Sequence, residues 1–280
     1  SLVGVYYVGP PLPGRRAYFK VAGDLIFLTQ KGLVSTSAML VSTKVKDSNL
    51  LKMQKVQYLL SQLASTYQDL DGWQFVYFAT INMLLINVPQ FISGRNQQVV
   101  SNDVAPEQPW STFSGMDAFC WKLYGDNILY GDRSGTVYQA WTGETDKQPI
   151  GGGLGITIKA TAQQAYSYYG AQAVQKQIDM YRANFTTSNV NGVKYRSKML
   201  YDFNTTTLLE DTGFDPVGVR GWNTAIWDQD FWSSGGEVRF AVWQQANNLG
   251  VAASIEIAIE TSSAVTWIST DYSFKSGGLF

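Results

Sequence analysis

The sequence predicts an all-β fold: partial β-propeller blades with one inserted helix, followed by a β-sandwich-like domain. Three observations carry that expectation. Aromatic residues make up 14% of the 280 positions and charged residues only 15%; Tyr, Trp, Phe, Val, Thr and Gly, the residues of pleated strands and tight turns, are abundant. Apolar residues follow a period of two through most of the chain. A hairpin pattern also returns. "GDLIFLTQKG" (Gly23–Gly32) lines up with "GDNILYGDRSG" (Gly125–Gly135), and a β-branched strand follows each, at Val34 and Val137.

The elements can be taken in order. Residues 1–45 read as strands, with a polar Thr-Gln-Lys-Gly turn inside Gly23–Ser35. Residues 49–66 break the pattern: Leu50, Met53, Val56, Leu60 and Leu63 recur every three or four positions, the stripe of an amphipathic helix. Asp47 and Ser48 are its candidate caps. From Trp73 the period returns to two, with two strands around Thr80–Asn82 and a third apolar run at Ile81–Pro89. With the helix set aside as an insertion, the repeat spacing is roughly 40–45 residues, the length of a four-stranded blade. One small sheet cannot bury both faces alone, so blades stack.

After Asp146 the character changes. A Gly-rich stretch, "IGGGLG" (Ile150–Gly155), precedes further strands. In "SIEIAIE", Ile255, Ile257 and Ile259 fall on one face and Glu256 and Ala258 on the other. Asn204–Gly218 reads as a loop. The expected domains are therefore 1–147, blades with the helical insertion at 49–66, and 148–280, a β-sheet or sandwich domain.

Charge and composition exclude some functions. Net charge is −1 with 21 Lys and Arg against 22 Asp and Glu. Tight nucleic-acid grip needs clustered cations. The densest cluster is Lys194, Arg196 and Lys198, which a strand places on one solvated face. There is no His and one Cys, which removes His-based triads, His-ligated zinc and any internal disulfide. Cys120 lies in the apolar strand "DAFCWKLY" and reads as a small packing residue. No run of 18 apolar residues is present. Asn184-Phe-Thr and Asn204-Thr-Thr match the glycosylation sequon by pattern alone.

Several stretches invite a chemical reading, and each has a plainer one. Asp228 and Asp230 in "WDQD" put two carboxylates on one face, but calcium loops need more oxygen ligands. "IGGGLG" lacks the Gly-Lys-Ser/Thr ending of a phosphate loop and reads as a linker. Trp222, Trp227, Trp232 and Trp243 suit either a sugar-stacking platform or a core and subunit interface. Asp132–Trp141 shares only the flavour of the sialidase Asp-box. On the helix, Lys52, Lys55 and Gln62 form the polar back, and its stripe packs on its own sheets or on a neighbour. The expectation is no catalytic residue, no metal and no cofactor.

One resemblance adds to this. "MLLINVP", "QQVVSND", "PWSTFSGMDAFCWKLYGDNILYGDRSGTVYQAWTGETD", "QAYSYYGAQAVQKQIDMYRANF" and "VTWISTDYSFKSGG" resemble, in order, the C-terminal half of tail nozzle or hub proteins of short-tailed bacteriophages, also called packaged-DNA stabilisation proteins. The match covers about residues 75–280, and its middle block is the most specific. The resemblance implies a structural virion protein: a homo-oligomeric, six-fold ring below the portal and adaptor that retains packaged DNA and conducts it at ejection. Implied partners are the portal and adaptor proteins, tail fibres or spikes, genomic DNA in passing and the host envelope. It also implies propeller sequence upstream of this chain. No functional residue is carried over. The competing expectation is a β-propeller tail module that binds a receptor or glycan; a glycosidase would need paired carboxylates about 5–10 Å apart in a cleft.

Overall fold

The computed structural model describes residues 17–21, 23–29, 32–37, 54–90, 97–102, 109–146, 155–170, 172, 174–188, 193–204, 215–216 and 238–276. The fold is all-β, built from several antiparallel sheets with one long helix, and no sheet closes into a barrel. The chain divides between Thr142 and Gly143 into two compact units.

The first unit is a succession of three meanders. Strands β1 (Tyr18–Val21), β2 (Asp24–Thr29) and β3 (Gly32–Ser35) form the first sheet. Strands β4 (Gln74–Phe78), β5 (Met83–Asn87), β6 (Gln98–Ser101) and β7 (Ser111–Phe113) form the second. Strands β8 (Ala118–Tyr124), β9 (Asn127–Asp132) and β10 (Val137–Ala140) form the third. Each sheet runs in sequence order, as blades do. The two hairpins matched in sequence become β2–β3 and β9–β10, at corresponding places in the first and third sheets.

The three sheets stack face to face. One core joins Phe19, Ile26, Leu28 and Leu33 of the first sheet to Phe75, Leu84, Ile86 and Val99 of the second. A separate core joins Val76, Met83, Leu85 and Val100, from the opposite face of the second sheet, to Trp121, Ile128 and Ala140 of the third. Neighbouring positions on β5 thus point to different cores. That explains why "MLLI" is an unbroken apolar run rather than an alternating one: every residue of Met83–Asn87 is buried. Burying each such side chain contributes about 1.5–3 kcal/mol.

Helix α1 spans Gln54–Tyr67. Residues 49–53 of the expected helix, with Leu50, Met53 and Lys52, lie outside the described residues. Val56, Leu60, Leu63 and Ala64 fill the core shared by the first two sheets, so the stripe packs on its own sheets. Lys55, Tyr58 and Gln62 face outward, with Gln62 Nε2 donating to Tyr58 Oη at 2.8 Å.

The second unit is a two-sheet sandwich. Strands β11 (Ile158–Gln163), β17 (Ala253–Thr261), β13 (Val193–Tyr201) and β14 (Asp215–Pro216) make one sheet in that order. The short β14 comes from the segment expected to be a loop. The other sheet centres on β12 (Lys176–Thr187). One edge of β12 pairs along its whole length with β18 (Val265–Ser276); the other pairs with β16 (Gln244–Gly250) and then β15 (Val238–Phe240). Tyr181, Ala183 and Phe185 meet Val193, Tyr195, Ile255 and Ile257 between the layers, the inward set that the "SIEIAIE" alternation marked.

Candidate functional site

The hairpin at Asp132 is held by its own turn chemistry. The Asp132 carboxylate accepts from Ser134 Oγ at 2.6 Å and from the Thr136 amide at 2.9 Å, and Gly135 takes the left-handed conformation at φ 87°. The bond from Ser134, with help from the Thr136 amide, lowers the carboxyl below its ordinary pKa. Those bonds close a turn and leave no carboxylate pair for acid–base work. Behind the turn, Trp121, Tyr130 and Tyr138 are direct cross-strand partners, with ring centroids 5.0 Å apart at both steps. Trp141 lies 6.1 Å from Trp121 and 5.9 Å from Phe113. This aromatic row packs the third sheet on the second.

Sequence reasoning missed the polar stitch between those sheets. Asn87 is fully buried. Its Nδ2 donates to the carbonyls of Gly72 at 2.8 Å and Ala118 at 3.1 Å; its Oδ1 accepts from Gln98 Nε2 at 3.1 Å and Trp121 Nε1 at 2.9 Å. Gln74 bonds both the amide and the carbonyl of Trp121, each at 2.8 Å. Amides at the ends of apolar runs were the available signal, but the same residues also end exposed strands.

The outward face of the third sheet is less covered. Tyr124, Cys120, Lys122, Leu129, Val137 and Gln139 share it by register. Val137 is 65% and Tyr124 73% exposed, and Cys120 and Leu129 are half-buried. Both faces of the second sheet, by contrast, are buried.

In the second unit the basic strand is answered by acids. On the outer face of β11, β17 and β13, Lys159 and Lys194 both flank Glu260, and Gln163 and Lys198 both flank Glu256. Lys198 Nζ lies 3.2 Å from Glu256, and Thr157 Oγ1 donates to Glu260 at 2.7 Å. Glu256 is buried at 2% exposure, where a carboxylate needs its partner. Lys194, Arg196 and Lys198 therefore do not form a bare cationic stripe for phosphates.

The second layer carries a mixed patch. Arg182 lies over the Trp243 ring at 4.7 Å and donates to Asp271 at 2.7 Å; Asn184 donates to Asp271 and Ser269. The bond from Arg182, then that from Asn184, lowers the Asp271 carboxyl. Trp222, Trp227 and Trp232 lie outside the described residues, as do Asp228, Asp230 and residues 150–154 of the Gly-rich stretch. Gly155 sits so close to Thr145 and the Asp146 carbonyl that a Cβ there would collide with them. Among the described residues no group of three or more His, Cys, Asp or Glu gathers as a metal site, and no helix is long and apolar enough to cross a membrane.

Fold and faces together define an all-β protein of stacked meanders and a sandwich, with its described ion pairs closed within the second unit. No protein-family model matches the chain, and no curated protein does either.

Proposed function

We propose that this chain is a structural component of a bacteriophage tail, a subunit of a ring-shaped nozzle or hub that retains packaged DNA and conducts it at ejection. The observation that carries the reading is the stacking of the first unit. Successive meanders bury both faces of the middle sheet, while the outward face of the third still shows Val137, Tyr124 and Leu129. A ring of copies covers such a face by heterologous, closing contacts. The paired charges on β13 and β17 fit the same role, because a wall bristling with unpaired cations would hold phosphates and slow their passage. The resemblance of residues 75–280 to tail nozzle proteins supplies the biological setting.

Purified protein is expected to sediment as an oligomer and to show rings with a central channel by negative-stain electron microscopy. A stable monomer at every concentration tested, with no ring in the images, would overturn the proposal.

A further inference from the structure

We propose that the turn Tyr201–Asn204 is a sugar-binding tip, with Phe203 as the surface on which a pyranose ring stacks and Asp202 and Asn204 as the groups that bond its hydroxyls. The inference starts from backbone conformation. The Asn204 amide closes the turn on the Tyr201 carbonyl at 2.9 Å, and both central residues are left-handed, Asp202 at φ 51° and Phe203 at φ 59°. Turns of this kind take Asn, Asp or Gly at those positions. Asp202 fits that rule and Phe203 breaks it; a bulky residue there is a strained outlier. The strain brings no burial in return, since Phe203 is 56% exposed. Strain kept at an exposed aromatic is the mark of a functional constraint.

The surroundings hold this tip in place. Asp202 Oδ1 accepts from the amides of Val251 at 2.7 Å and Ala252 at 3.1 Å. Tyr166 Oη donates to the Asn204 carbonyl at 2.9 Å. The Tyr166 and Tyr168 rings flank Phe203, at 4.7 Å and 6.1 Å. A preorganised aromatic loses little freedom on binding. Asp202 and Asn204 are exposed on either side of the ring. Among the described residues, the second Asp202 oxygen and the Asn204 side-chain amide have no partner. One carboxylate and one amide beside an open ring match the alternating C–H faces and hydroxyls of a pyranose.

The charge argues against other ligands. The ionic groups that bear on the tip are acidic: Asp202 lies within it, and Glu256 acts electrostatically on the flanking Tyr166. A phosphate or nucleic acid would be repelled. A bilayer anchor pairs its aromatics with Lys or Arg for the headgroups, and no cation is among the groups that hold this turn. The site is separate from the ring reading and stands or falls without it.

The test is saturation-transfer NMR on the intact chain, with the methyl glycosides of glucose, galactose, mannose and N-acetylglucosamine as probes. Transfer to ring protons of at least one glycoside is expected. Phe203→Tyr should keep it and Phe203→Gly should abolish it. Glycine adopts this conformation without strain, so Phe203→Gly should also melt at the same temperature as the parent or higher. Transfer to none of the four, or transfer that survives Phe203→Gly, overturns the proposal. So does a lower melting temperature for Phe203→Gly, which would make the ring a packing element. Phe203-dependent sedimentation with phosphatidylcholine vesicles, without sugar transfer, overturns it in favour of a membrane.

Discussion

Tyr201 buries its hydroxyl with no hydrogen-bond partner, and its ring packs against Gly250, where a Cβ would come within 2.8 Å. A buried hydroxyl left unpaired costs stability, so Tyr201→Phe should be neutral or stabilise the protein by up to about 1 kcal/mol in urea denaturation at neutral pH. A loss of more than about 1 kcal/mol would show that the hydroxyl is bonded after all. Titration gives the companion expectation. Burial, aided by Tyr181, pushes the Tyr201 phenol up to about 12, and burial raises Tyr169, Tyr181 and Tyr272 in the same direction. A raised phenol stabilises the fold fully below the unfolded value near pH 10, and that contribution is lost as pH climbs through about 12. The urea midpoint should therefore fall between about pH 10 and 12, and less steeply in Tyr201→Phe. None of this was legible in the sequence. An alternating strand shows which side a tyrosine faces but not whether its hydroxyl reaches a partner, and the left-handed Phe203 depends on a turn whose closure no local pattern announces.

At the scale of elements, the hydrophobic period was a good guide and the polar exceptions were not. Val56, Leu60 and Leu63 disclosed the helix, and "SIEIAIE" disclosed which face of β17 is inward, because burial acts on every third or fourth residue of one element and every second of the other. The run "MLLINVP" disclosed a buried strand but not that it serves two cores, since a run has no period to read. Its Asn87 looks like a strand end. In the fold it holds four groups at once, two carbonyls and the Gln98 and Trp121 donors. Asn87→Leu keeps the volume and strands all of them in a dry interface between sheets. The expected cost is about 2–4 kcal/mol, from desolvated groups that the lost bonds no longer satisfy. Urea denaturation followed by tryptophan fluorescence reads it; a change below about 1 kcal/mol would mean that water enters and replaces the amide.

For the molecule as a whole, charge is the property that separates a conduit from a binder. The chain carries 21 cations and 22 anions, so long-range attraction to a polyanion is absent. The one cationic strand is locally compensated: Glu260 stands between Lys159 and Lys194, and Glu256 is paired to Lys198. Neutralising each phosphate requires an available Lys or Arg, and the number of such contacts sets both affinity and its slope against salt. A non-specific DNA binder with many contacts reaches dissociation constants of roughly 1–100 µM at physiological salt. This protein should be weaker. Anisotropy of a labelled 20-base-pair duplex is expected to show no saturation up to about 100 µM subunit at about 150 mM salt. Glu256→Gln and Glu260→Gln together should then bring binding into range, with an affinity that falls as salt rises, because they uncover cations already in register on one face. Saturation by the parent chain at a few micromolar would mean that it grips DNA, and the conduit reading would give way to one of retention by binding.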